Sequence, residues 1–206
     1  MPQLKRIIGK LLVCALIAGA AVPAWGAGLS SPRVQLLDLS GHSVNPLEGA
    51  NKATVFVFVR TDCPISNRYA PLLHRIHDEY AAKGVAFWLV YVDPRQSAEA
   101  IEKHLKEYDF AIGALRDPKH GLVKLTGAQV TPEAAVFVPG NAAKGGESGP
   151  QMIYRGRIDD QYVAFGVTRP APTTHDLENV LEKVVAGKPL KETTTKAVGC
   201  FISDLD

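Results

Sequence analysis

Cysteine is scarce in this chain of 206 residues: Cys14, Cys63 and Cys200 are the only three, and no Cys-x-x-Cys pair occurs among them. That excludes a disulfide-stapled scaffold. It also excludes a zinc site of the paired-Cys kind, because four ligands at the usual spacing cannot be assembled and no His pair makes up the deficit. An excess of one charge is equally lacking, with 23 Lys plus Arg against 21 Asp plus Glu. No basic stripe is present, so no nucleic-acid partner is implied. Long hydrophobic runs are missing too. The apolar stretch from Leu11 to Val22 falls short of the roughly 20 residues that cross a bilayer.

That stretch has another reading. Lys5, Arg6 and Lys10 precede it and the small residues Ala24 and Gly26 follow it, the layout of an export signal with its cleavage site. Residues 1–26 are therefore expected to be a signal peptide, the only part to meet a membrane, and the mature chain is expected to begin at Ala27 in a periplasmic or secreted setting. Removal of the leader leaves 20 basic residues against 21 acidic ones, and two cysteines, Cys63 and Cys200. Two thiols suffice for one redox couple in a compartment where disulfides persist.

What is present is an ordinary globular composition, 46% hydrophobic and 21% charged, at a length that fits one domain. A hairpin is expected after Val34. Thr54 to Val59 is a continuous β-branched and aromatic run, the pattern of a strand buried on both faces. A helix follows from Pro64 through Tyr80, with Pro71 expected to kink it. Val85 to Val92 reads as a second buried strand, and Ser97 as the cap of a helix carrying Ile101, Leu105 and Tyr108. After a short helix near Gly121 come a Thr131-Pro132 turn, the strand Ala134 to Val138, a Gly-rich loop over 140–149, the strand Met152 to Ile158 and a last helix, Asp176 to Val185. Residues 27–190 form the expected domain. Residues 191–206 form a polar tail carrying Cys200, and its Lys191 to Val198 part is expected to be mobile.

Cys63 sits where the first buried strand meets the first long helix. A sulfur there faces unpaired backbone N–H groups, which favour the thiolate and make it a nucleophile. Three residues on stands Ser66, not a second Cys, so a dithiol couple is not local. Cys200 can return to it, because the dozen or so residues from Gly187 to Gly199 span up to about 40 Å at roughly 3.3 Å each. A free terminal thiol and a disulfide to another chain remain alternatives for Cys200. The Arg155, Arg157, Asp159 and Asp160 group reads as ion pairs on a solvated face.

The β-α-β-α order followed by a hairpin and a helix resembles the thioredoxin fold: an α/β protein with a central mixed sheet flanked by helices, here with an N-terminal hairpin extension. Four segments sharpen the resemblance: Phe58 to Pro64, Val130 to Glu133, Tyr154 to Asp160 and Gly199 to Ile202 look like those of peroxiredoxin-like redoxins of the alkyl hydroperoxide reductase and thiol-specific antioxidant group. The resemblance implies catalytic roles for Cys63 and Cys200, the latter as resolving thiol. It implies substrate-positioning roles for Thr61, Thr131 and Pro132, with a cis Thr131-Pro132 bond, whereas the sequence by itself favours trans. It departs from the peroxiredoxin pattern three residues before Cys63, where Arg60 replaces a Thr or Ser.

Three functions follow as expectations. The first is an exported thiol–disulfide oxidoreductase acting on protein thiols or disulfides. The second is a peroxiredoxin-like, antioxidant peroxidase acting on a peroxide; both need a thiol reductant and neither needs a cofactor or metal. The third is a copper-binding assembly protein of thioredoxin fold, for which Asn67 stands where a second Cys is normally found.

Overall fold

The computed structural model describes residues 34–140 and 149–203; the expected signal peptide and most of the Gly-rich loop lie outside them. Along the chain run β1 (Leu36–Leu37), β2 (Ser43–Val44), β3 (Ala53–Val59), α1 (Pro64–Arg68), α2 (Ala70–Ala81), β4 (Val85–Tyr91), α3 (Ala98–Glu107), β5 (Gly113–Arg116) and α4 (Gly121–Thr126). Then come β6 (Val130–Thr131), β7 (Glu133–Val138), β8 (Gln151–Gly156), β9 (Tyr162–Ala164), β10 (Val167–Thr168), α5 (Asp176–Val185), β11 (Thr193–Thr194) and β12 (Cys200–Phe201).

Eight strands form one mixed sheet in the order β11-β8-β7-β3-β4-β5-β1-β2. β3 lies at its centre, parallel to β4 and antiparallel to β7, as a strand of seven buried residues requires. Alternation along β3 sends Val55, Val57 and Val59 to one face and Phe56 and Phe58 to the other. The valines join Leu73 and Ile76 of α2 and Leu177 and Leu181 of α5 in one core layer. The phenylalanines meet Leu122 and Val123 of α4 in the second. Each such side chain contributes about 1.5–3 kcal/mol by leaving water. The α/β class, the mixed sheet with helices on its faces, and the N-terminal hairpin β1–β2 agree with the sequence reading.

Four features differ from it. Pro71 does not kink a helix interior: the helix breaks at Tyr69, which ends α1 and precedes α2, and Pro71 occupies the first turn of α2, where a missing N–H costs nothing. Within the 191–198 segment, read as a tail without secondary structure, Thr193 and Thr194 form β11, which pairs in parallel with β8. Gly156, at φ +151°, makes room for it: a Cβ there would come within 2.1 Å of Thr195 Oγ1. The strand β5 and the hairpin β9–β10 were not legible as strands. Lastly, Asp159 and Asp160 are buried, not solvated. Asp159 accepts a short hydrogen bond from the Tyr69 hydroxyl. Asp160 is held below the usual carboxylate range by Thr173 and Thr174, against the opposing effect of desolvation.

Candidate active site around Cys63

Cys63 follows the buried β3 and caps α1 in extended backbone conformation (φ −89°, ψ 107°), so its sulfur turns back to accept the Ser66 N–H at 3.5 Å. The helix it caps has only five residues, so the field at the sulfur is local in origin. The sulfur is fully buried, and as a thiol it donates to the Thr131 carbonyl at 3.0 Å. The Thr131-Pro132 bond is cis.

Cys200 arrives from the far end of the chain. β12 pairs antiparallel with β6, setting Cys200 opposite Thr131 and Phe201 opposite Val130. The Thr131 hydroxyl donates to the Cys200 carbonyl at 3.5 Å, and Ile202, buried in the second core layer, donates its N–H to Gln129. Gly199 lies so close to Thr131 that a Cβ would stand 2.1 Å from the Thr131 carbonyl oxygen. Only glycine fits there, a point the sequence motif contained without revealing its reason. The two thiols, both reduced, are thereby brought near enough for each to shift the other's ionisation.

The contact divides their acidities. Burial by itself raises the Cys63 pKa, but hydrogen bonds from the Cys200 thiol, from the Ser66 hydroxyl and N–H, and from Thr131 outweigh it and hold the group below an ordinary thiol. Cys200 is pushed up to about 12, by burial first, then by its hydrogen bond to Cys63 and by the Cys63 and Asp62 charges, with Arg60 opposing. The arrangement favours the thiolate at Cys63 and the neutral thiol at Cys200. The Ser66 hydroxyl is buried with no hydrogen-bond partner and, being near the Cys63 sulfur, favours its thiolate; its role was not legible in sequence.

Of the expected positioning residues, Thr131 and Pro132 lie against the sulfur's partner strand. The Thr61 hydroxyl, however, accepts from Gln96 Nε2 at 2.6 Å, and the Thr61 carbonyl accepts from Asn67 Nδ2 at 3.1 Å. Asn67 Oδ1 in turn receives His104 Nε2 at 2.9 Å, and His104 Nδ1 meets the Tyr91 hydroxyl at 2.8 Å. Burial lowers the His104 pKa, which favours the neutral ring. Arg60 bridges Asp62 at 3.0 Å and Asp93 at 3.1 Å. Below β6, Glu133 is buried and receives the Gln129 and Val130 N–H groups and Arg155 Nη1, at 2.8, 3.3 and 2.8 Å. It fixes the strand on which Cys200 rests. Among the described residues no group of three or more His, Cys, Asp or Glu side chains gathers as a metal site.

Comparison with known proteins bears on the family and the fold. The model of the AhpC/TSA family matches residues 27–144. A comparison with curated protein sequences found no match. Among solved structures, a conserved protein from Geobacillus kaustophilus superposes with a TM-score of 0.68 at 24% identity, over 84% of this chain and 88% of that one. A hypothetical protein from Sinorhizobium meliloti 1021 gives 0.64 at 22%, over 82% and 88%. A putative thioredoxin from Neisseria meningitidis gives 0.51 at 19%, over 75% and 88%. These likenesses show a thioredoxin-like fold.

Proposed function

The chain belongs to the AhpC/TSA family and is a thiol-dependent oxidoreductase, and from that premise we propose that it is an exported thiol–disulfide oxidoreductase in which Cys63 is the nucleophile and Cys200 resolves. The observation that carries this is the pairing of Cys200 with Thr131, which sets the Cys200 thiol against the Cys63 sulfur. The Cys63 thiolate attacks one sulfur of a substrate disulfide; the S–S bond breaks and one half departs as thiolate. Cys200 then attacks the mixed disulfide at Cys63, its proton passing to the departing thiolate. The products are a Cys63–Cys200 disulfide and a reduced substrate. A protein disulfide is the expected substrate class. Export rests on the N-terminal sequence pattern of residues 1–26.

The family match also favours a second substrate, a hydroperoxide, whose O–O bond the same thiolate would cleave to give a sulfenic acid and an alcohol; condensation with Cys200 then releases water. Arg60, standing where a Thr or Ser would precede the reactive Cys by three residues, favours exchange over this route. The deciding experiment treats reduced protein starting at Ala27 with one equivalent of a model disulfide or of hydrogen peroxide and follows loss of free thiol. Faster oxidation by the disulfide, with a Cys63–Cys200 cross-linked peptide, is expected. A faster reaction with peroxide would overturn the exchange reading.

A further inference from the structure

Asn67 holds the peptide chain on both sides of the turn that presents Cys63. Its backbone N–H donates to the Cys63 carbonyl at 3.1 Å, and its side-chain Nδ2 donates to the Thr61 carbonyl at 3.1 Å. Between those points the chain turns tightly, with the Cys63 N–H donated to the Arg60 carbonyl at 3.3 Å. The Thr61 hydroxyl is taken from another side by the Gln96 amide at 2.6 Å. Immediately before Asn67 stands Ser66, whose N–H points at the sulfur. That N–H belongs to a helix of five residues, too short to hold its own geometry in water. Contacts from outside α1 have to supply what its length does not.

The Asn67 amide is itself oriented from α3. A carbonyl only accepts, so the Asn67 atom facing Thr61 is the nitrogen and the atom facing His104 is the oxygen. An amide oxygen also only accepts, which places a ring hydrogen of His104 on Nε2. In the neutral ring that burial favours, Nδ1 then accepts from the Tyr91 hydroxyl at 2.8 Å. His104 is 4% exposed and sits among the rings of Tyr91, Tyr108 and Phe110, which hold its plane. A continuous line of hydrogen bonds thus runs from β4 through α3 to the residue two places before the nucleophile. We propose that Asn67 and His104 are positioning residues for Cys63: His104 sets the Asn67 amide, and that amide clamps the Thr61 carbonyl so that the Ser66 N–H stays aimed at the sulfur. The inference rests on the reading of Cys63 as the nucleophile. With the clamp released, the short α1 loses its anchor at the turn, and the thiolate loses a donor from the first turn of the helix.

The test uses the reduced chain from Ala27 and follows alkylation of Cys63 by iodoacetamide against pH, with the labelled peptide mapped by mass. Asn67→Ala removes the clamp while raising the helix-forming tendency of α1. A role confined to helix stability therefore predicts an unchanged or lower pH midpoint. The clamp predicts a midpoint higher by about one pH unit and alkylation near neutral pH about tenfold slower. His104→Leu should have the same effect, whereas His104→Gln, which keeps an N–H where Nε2 stood, should recover most of the loss. Nitrogen NMR of the histidine rings checks the geometry in the unsubstituted chain, with the His104 signal identified by its absence from His104→Gln. A ring hydrogen on Nε2 is expected. A neutral ring with its hydrogen on Nδ1, an unchanged midpoint in Asn67→Ala, or a Gln variant as impaired as the Leu variant overturns the clamp. Circular dichroism reports folding, and if His104→Leu does not fold, Asn67→Ala and the ring spectra decide. If Cys63 of the unsubstituted chain reacts no faster than a free thiol near neutral pH, the nucleophile reading falls and this one with it. If it reacts fast and Asn67→Ala reacts as fast, only the clamp falls.

Discussion

The Thr131 carbonyl that receives the Cys63 thiol belongs to the residue directly opposite Cys200 in the β6–β12 pair. One peptide unit therefore sets the position of both sulfurs, and disturbing β12 has to disturb the chemistry of Cys63.

Replacing Gly199 tests that dependence without touching a thiol. Gly199→Ala places a methyl group 2.1 Å from the Thr131 carbonyl oxygen, a separation no structure tolerates, so β12 must lift away. Disulfide formation between Cys63 and Cys200 should slow at least tenfold, and Cys63, now uncovered, should be alkylated faster by iodoacetamide. Unchanged rates in stopped-flow and mass mapping would count against the strand as the positioning element.

Oxidation should stabilise the protein. A disulfide from Cys63 to Cys200 closes more than a hundred residues, which in the chain-entropy picture restricts the unfolded state by up to about 4–5 kcal/mol. The oxidised form should melt above the reduced one, and Cys63→Ser and Cys200→Ser should each abolish the difference in differential scanning calorimetry.

The two thiols should titrate far apart. The Cys63 pKa is lowered, so its alkylation should be present above a midpoint lower than that of an ordinary thiol and should fade as pH drops through it. Cys200, at about 12, stays protonated where an unfolded thiol ionises, near about 8.5. Its contribution to folding is thus complete below that value and is lost as pH climbs toward 12. Thermal melts of reduced protein should decline over this alkaline window, and the decline should be smaller in Cys200→Ser.

Glu133→Ala removes the acceptor for the Gln129 and Val130 N–H groups and leaves Arg155 without its carboxylate. Unpaired buried donors cost about 1–3 kcal/mol, so urea denaturation should show a loss in that range. Because β6 then loosens under β12, disulfide formation should slow as well, and Glu133→Gln should recover part of both.

The core of the fold was legible because its signals are local. The run of five alternating valines and phenylalanines, Val55 to Val59, in β3 and the spacing of Leu177, Val180 and Leu181 in α5 declare burial by themselves. Cys63 was legible for the same reason, standing at a strand-to-helix junction. What escaped depends on contacts distant in sequence. β5 begins at a glycine pressed against Trp88, and β11 exists because Gly156 leaves room for it. The buried Asp159 looked like surface charge until Tyr69, ninety positions away, supplied its partner. Thr61 looked free to meet substrate until Gln96 came across from the next loop.

The anchoring of the tail at both ends has a kinetic consequence. β11 holds Thr193 and Thr194 on β8, and Ile202 is buried past Cys200, so the second thiol is never more than a short bridge away from the first. In the proposed cycle, resolution of a mixed disulfide at Cys63 would then be first order in protein, with an effective molarity set by the fold and not by the surroundings. An external thiol captures the intermediate only when its own concentration rivals that value. Dilution of the protein should leave the lifetime of the mixed disulfide unchanged, while release of the tail's anchors should make that lifetime depend on whatever thiol is in solution.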